Sequence, residues 1–211
     1  MAYTLVLGSK NLSSWSLRPY LALRATGAPF TEIVIRLDQP DTKAKILAQS
    51  RAGKVPVLKF DGITVWDSLA ICETLAERHP EAGLWPSDPA LRAKARSYAA
   101  EMHSGFAELR QILPMNFARQ LPTPELPDSV KAQIARIVEA WSEALAANPG
   151  GFLFGGFSIA DCLYGPVVSR FHTYAITLPP VVEAYCARIM ALPSMQDWMA
   201  AAKAEVAAGW K

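Results

Sequence analysis

The sequence predicts an α/β unit joined to an all-α half: a mixed sheet with the order βαβαββα over residues 1–80, a connection over 81–88 and helices over 89–211. Three observations predict it. Strand-type and helix-type apolar patterns alternate as far as Arg78, a Val-Pro pair and an Asp-Gly pair punctuate the last two strands, and only helical periodicity follows Pro89.

Tyr3-Thr4-Leu5-Val6-Leu7 is rich in strand formers. A polar stretch over 8–14 follows, and then Leu17, Leu21 and Ala25 recur at helical spacing. Proline is harmless only in a first helical turn, so Pro19 places the cap at Ser16 or just beyond, with Ser13 and Ser14 in the loop ahead of it. Gly27 closes this helix, and residues 30–37 alternate, with Ile33, Ile35 and Leu37 on one face of a second strand. A helical crossover makes the two strands parallel and their connection right-handed. After a polar segment that suits a short helix, residues 55–60 and 63–66 form an antiparallel hairpin. Its turn, Asp61-Gly62, suits the two positive φ angles of type I′. Residues 68–78 are helical and end at His79-Pro80.

In the second half, Leu91, Ala95, Tyr98, Met102, Phe106, Leu109 and Leu113 predict one long amphipathic helix. Val130, Ile134, Ile137, Trp141 and Leu145 predict another, which places Phe106 and Trp141 in the core. Ser158-Ile159-Ala160-Asp161 opens a further helix, with Ser158 positioned to cap and Asp161 in the favoured first turn. Pro179-Pro180 and Pro193-Ser194 punctuate two more. The run 150–156 is glycine-rich but aromatic and lacks a Lys-Ser/Thr sequel, so it reads as a packed loop rather than a phosphate cradle.

Bulk properties exclude several classes. Half of the residues are hydrophobic, and 21 basic and 19 acidic side chains are interspersed to a net charge of +2, which leaves no stripe to hold nucleic acid. No apolar run is long enough to span a membrane, and no basic segment precedes an apolar core at the N-terminus. Cys72, Cys162 and Cys186 are an odd, widely spaced set that fits reduced thiols and a cytoplasmic setting. No His, Cys and acid cluster has metal-ligand spacing, so no metal is expected.

The chemistry-bearing residues sit at element junctions. At Val55-Pro56 a proline begins a strand, where it removes a ladder donor; a cis bond there would turn the Val55 N–H and C=O outward to pair with an extended peptide. An ordinary trans proline is the plainer alternative. Asp67-Ser68 stands where a strand gives way to a helix, offering a carboxylate to an ammonium and a hydroxyl with free N–H groups to a carboxylate, or simply a helix cap. Lys54 adds a cation near the same edge, or only a solvated charge. In the loop 11–16, Ser13 or Ser14 could donate a charge-assisted hydrogen bond to a bound thiolate; caps and turn residues are again the alternative.

Ser13-Ser14-Trp15-Ser16-Leu17-Arg18, Lys54-Val55-Pro56-Val57-Leu58, Asp67-Ser68-Leu69-Ala70-Ile71 and the run from Ser158 through Asp161 to Pro166 occur in an order and spacing that resemble cytosolic glutathione S-transferases across essentially the whole chain. The pattern is that of a bacterial, serine-type, somewhat zeta-like member, although the zeta Ser-Ser-Cys is met only by Ser13-Ser14, with no cysteine before Cys72. The resemblance implies a thioredoxin-like N-terminal domain, a homodimer and glutathione as co-substrate. It also implies a sulfur-facing Ser13 or Ser14, a cis Pro56, backbone pairing by Val55, γ-glutamyl binding by Asp67 and Ser68, and glycyl-carboxylate binding by Lys54. A small apolar electrophile would then meet Trp15, His103, Arg110 and Met115. The expected activity is glutathione transfer; maleylacetoacetate isomerase-like or peroxidase-type activity and a non-catalytic binding module are the alternatives.

Overall fold

A computed structural model describes residues 2–210. Strands β1 (Tyr3–Gly8), β2 (Phe30–Ile35), β3 (Val57–Phe60) and β4 (Ile63–Val65) form one sheet in the order β2-β1-β3-β4. β1 runs parallel to β2, with Tyr3 opposite Phe30, and antiparallel to β3, with Val6 opposite Val57. The β3–β4 turn has φ of 47° at Asp61 and 76° at Gly62, as a type I′ turn requires.

The period-2 pattern of β1 decides which face meets which helix. Leu5 and Leu7 face α1 (Ser14–Thr26) and α3 (Ser68–Arg78) in the main core, whereas Val6 joins Ile35, Val57 and Ile46 of α2 (Thr42–Gln49) in a smaller cluster. Each of these buried aliphatic side chains contributes up to about 1.5–3 kcal/mol relative to exposure. Ile33 shares the α2 face but lies outside that cluster and is exposed.

The C-terminal half comprises α4 (Pro89–Ser104), α5 (Ala107–Ile112), α6 (Asp128–Ala147), α7 (Ile159–Thr173), α8 (Pro180–Met190) and α9 (Pro193–Ala207). α7 is buried along nearly its whole length, and Trp141 packs its ring against Tyr164, Phe171 and Tyr185. The main core runs without interruption from the sheet through α1 to α7, so the thioredoxin-like unit and the helical half share one hydrophobic interior.

Two helix boundaries differ from the sequence expectation, and β2 and β3 are each two residues shorter than read. The long helix predicted through Leu113 is broken between α4 and α5: Gly105 leaves helical geometry, and Phe106 has φ of 56°. A Cβ on Gly105 would lie 2.7 Å from the Glu101 carbonyl oxygen, a contact that only glycine avoids. The apolar spacing continues in phase across the break, which hides it from periodicity. The first helix begins three residues earlier than Pro19 suggests, with Ser13 as its cap and Pro19 inside it. Proline there removes one backbone bond, and burial of residues 16–23 holds the turn regardless.

Candidate active site

The serine loop joins the end of β1 to the start of α1, where the helix dipole favours negative charge. The Ser9 carbonyl accepts the N–H groups of Leu12 at 3.1 Å and Ser13 at 2.8 Å, closing a tight turn. Ser13 caps α1, and its hydroxyl donates to Ser16 Oγ at 2.8 Å, which also accepts the Gly8 N–H at 3.0 Å. The Ser13 proton is thereby committed. Ser14 is the first helical residue, lines the same cavity, and has no side-chain hydrogen bond among the described residues.

The opposite wall is built from two strand ends. The Val55-Pro56 bond is cis, as is the Trp66-Asp67 bond. Val55 lies two residues beyond the last β1–β3 pair, Val6 with Val57, so its main chain is outside the ladder. Asp67, rather than Ser68, caps α3: its Oδ1 accepts the N–H groups of Leu69 at 3.0 Å and Ala70 at 3.3 Å, while its Oδ2 lies 3.0 Å from His103 Nε2. Ser68 Oγ is buried and has no hydrogen-bond partner among the described residues, although burying a hydroxyl without a hydrogen bond costs about 1–3 kcal/mol.

These elements enclose a cavity of about 770 Å³. Ser13, Ser14, Trp15, Lys54, Val55, Pro56, Asp67 and Ser68 all line it, so the structure brings together the residues singled out around the serine loop and the opposite strand ends. Ile46, Gly53 and Trp66 line it too. Gly53 has φ of 63°, and a Cβ on it would lie 2.6 Å from Lys43 Nζ.

The residues expected to meet a second substrate divide. Trp15 lines the cavity, and behind it lies a layer of cationic and imidazole groups. The Arg18 guanidinium sits 4.1 Å from the Trp15 ring centroid, that of Arg110 sits 5.3 Å away, and the His103 ring meets its edge at 5.2 Å. His103 and Arg110 thus reach the cavity through Trp15. Met115 is buried in the main core and is not among the residues lining this cavity.

Arg18 is the site feature that sequence patterning missed. It is fully buried, and none of its three guanidinium nitrogens has a hydrogen-bond partner among the described residues. Burial, reinforced by the charges of Arg110 and Arg170, lowers its pKa to about 9. Arg170 is buried as well, donating to the Leu113 and Pro166 carbonyls, and its pKa is lowered to about 10 by burial and by Arg110. Arg110 Nη1 is buried without a hydrogen-bond partner among the described residues. The carboxylate that acts on Arg18 is Asp67, already engaged as a cap and by His103. The interior beside Trp15 is therefore rich in uncompensated positive charge, an arrangement suited to an anion. The thiols are unsuited to nucleophilic work: burial pushes Cys72 and Cys162 far up. Among the described residues no three His, Cys, Asp or Glu side chains are grouped to hold a metal ion.

Comparison with known proteins agrees with this geometry. The N-terminal domain model of glutathione S-transferases matches residues 12–78, and the C-terminal domain model matches residues 95–202. The chain is 28% identical to the probable maleylacetoacetate isomerase of Caenorhabditis elegans over 83% of its own length and 82% of that protein. It is 30% identical to maleylacetoacetate isomerase of Rattus norvegicus over 79% and 77%. A glutathione transferase homologue from Burkholderia, solved with bound glutathione, superposes with a TM-score of 0.74 at 24% identity, covering 97% of this chain and 99% of that one. A fold shared end to end with such proteins and family models covering both halves lead to one assignment: the chain belongs to the glutathione S-transferase family.

Proposed function

We propose that this glutathione-dependent enzyme activates the thiol of glutathione at the N-terminus of α1 and passes it to a small electrophile beside Trp15. The observation that carries the reading is the division of labour between the two serines. The Ser13 proton is spent on Ser16, whereas the Ser14 hydroxyl, on the cavity at a helix start, remains able to donate to a sulfur anion. The orphaned Ser68 hydroxyl and the free main chain of Val55 support an extended γ-glutamyl peptide along the opposite wall. Lys54 at the rim suits its terminal carboxylate. A donor aimed at the developing thiolate lowers a thiol pKa of ~8.5 toward neutrality, and holding the two reactants together removes the entropy of encounter.

The test is the absorbance of the bound thiolate against pH. Ser14→Ala is expected to raise the pKa of bound glutathione and to lower kcat about 10- to 100-fold. Ser13→Ala, which removes a partner of Ser16, is expected to cost severalfold less. A thiol pKa unmoved in both variants would remove the serine mechanism, and binding without turnover would favour a carriage module.

A second reading is favoured by the arginine layer. Uncompensated charge at Arg18 and Arg110 suits an electrophile that carries a carboxylate, as would an isomerase acting by reversible thiol addition to an unsaturated acid, the activity named for the maleylacetoacetate isomerase relatives. Comparing turnover of acidic and neutral acceptors separates the two readings. A homodimer in the cytoplasm completes the proposal, with Ile63 and Trp66 exposed near β4 as candidate contact residues.

A further inference from the structure

We propose that Glu205, in the last turn of α9, is a positioning residue that sets where the serine loop presents its hydroxyls. This rests on the glutathione reading above. Lys10 and Asn11 precede the serine pair, and all four of their main-chain polar groups are held by the C-terminal half. The Glu205 carboxylate accepts the Lys10 N–H at 2.8 Å through Oε1 and the Asn11 N–H at 3.0 Å through Oε2. Trp198 Nε1 donates to the Lys10 carbonyl at 2.7 Å, and the Phe117 N–H to the Asn11 carbonyl at 3.1 Å. Asn11 Oδ1 accepts the Ala118 N–H at 2.9 Å as a fifth tie.

A buried loop must pair its backbone groups somewhere. Here the Glu205 and Trp198 partners come from roughly 190 positions further along the chain rather than from a neighbouring strand. One carboxylate that takes two consecutive N–H groups fixes both directions at once, through charge-assisted bonds. The Lys10 ammonium does not compete for it, because it is paired with Glu32 at 2.5 Å and lies over the Tyr20 and Trp198 rings. From Asn11 the chain enters the turn in which Ser9 accepts the Leu12 and Ser13 N–H groups. A shift at Lys10-Asn11 is thus carried rigidly into Ser13 and Ser14. Since a catalytic donor loses its effect when displaced by about an ångström, α9 determines how well the serine hydroxyl reaches sulfur.

The experiment is Glu205→Gln, which keeps side-chain size and opposes one of the two N–H groups with an amide NH₂. Hydrogen exchange at residues 10–14 is expected to accelerate about tenfold. The thiol pKa of bound glutathione is expected to rise by about one unit, so kcat at neutral pH falls about tenfold and recovers one pH unit higher. The dissociation constant of glutathione is expected to stay within about threefold, because the opposite wall is untouched. Trp198→Phe, which deletes one donor and keeps the ring, should shift exchange and thiol pKa in the same direction by less. Unchanged exchange at these amides, or activity lost only in proportion to thermal stability with the thiol pKa unmoved, overturns the proposal. If the unmodified protein fails to lower the thiol pKa at all, the glutathione reading falls, and the exchange measurement alone then decides whether Glu205 anchors the loop.

Discussion

Arg18 concentrates the energetic oddity of the site in one side chain. A buried cation whose three nitrogens have no hydrogen-bond partner among the described residues is a net cost to folding, because desolvation is not repaid by hydrogen bonds. Replacement by an apolar side chain of similar length should therefore stabilise the protein, and Arg18→Met is expected to raise the unfolding free energy by about 1–3 kcal/mol. The pH dependence has a definite sign. The folded pKa of about 9 lies well below the ordinary guanidinium range, so the penalty is complete below pH 9 and is relieved as pH rises above it. The gain from Arg18→Met, measured by urea unfolding, should accordingly be full at pH 7 and shrink above pH 9. A loss of stability at pH 7 would show that the cation on the Trp15 face holds the site together. Arg18 was not legible as a site residue because its surroundings are assembled from α5 and α7, far along the chain. Ser13, Ser14, Lys54, Val55, Asp67 and Ser68 were legible because polar residues at strand-helix junctions, and a proline at a strand start, carry their own local signal.

At the scale of single elements, the start of α7 shows what a local pattern can determine. Ser158 and Asp161 form the capping box expected from their spacing. The buried Asp161 carboxylate accepts from Leu153 N–H at 3.1 Å, from the Ser158 N–H and hydroxyl at 2.9 Å each, and from the Tyr185 hydroxyl at 3.0 Å. Burial outweighs these donors and pushes its pKa up to about 6 from an ordinary value of 3.8. The folded state therefore holds this proton more tightly than the unfolded chain. Stability from this group is complete below pH 4 and is lost as pH rises to about 6, by at most about 3 kcal/mol. Asp161→Asn should flatten that slope, and the check is denaturant unfolding of both proteins at half-unit steps from pH 4 to 7. An unaltered slope would place the proton elsewhere. The α4–α5 break shows the opposite case. Nothing in the repeat of Tyr98, Met102, Phe106 and Leu109 marks it, because the apolar face resumes in phase. Only the 2.7 Å approach of a Gly105 Cβ position to the Glu101 carbonyl explains why a glycine stands there.

Across the whole molecule, the contact of α1 with α7 ties the serine loop to the helical half. α1 begins at the serine pair and carries Leu21 one face further on; α7 meets it at Gly165, where an added Cβ would lie 2.8 Å from Leu21 Cδ1. The neighbours of this contact are fully buried and belong to the one core that runs through both halves, so little room exists for a larger side chain. Gly165→Ala meets only the tip of a leucine, and the gain of about 1 kcal/mol in helix propensity offsets much of the strain. Its net effect is expected within about 1 kcal/mol of zero. Gly165→Val adds two branches that cannot both avoid Leu21, and a cost of about 2–4 kcal/mol follows, equivalent to a fall in Tm of roughly 5–15 °C for a chain of this size. Because α1 would move with Leu21, kcat should fall in Gly165→Val while the affinity for glutathione changes less. The shape of the melting curve tests the shared core. One transition, displaced downward as a whole, is expected. Separate melting of the sheet unit and the helical half would show instead that the α1–α7 contact is a boundary between independent units and that the position of the serine loop is set within the N-terminal unit alone.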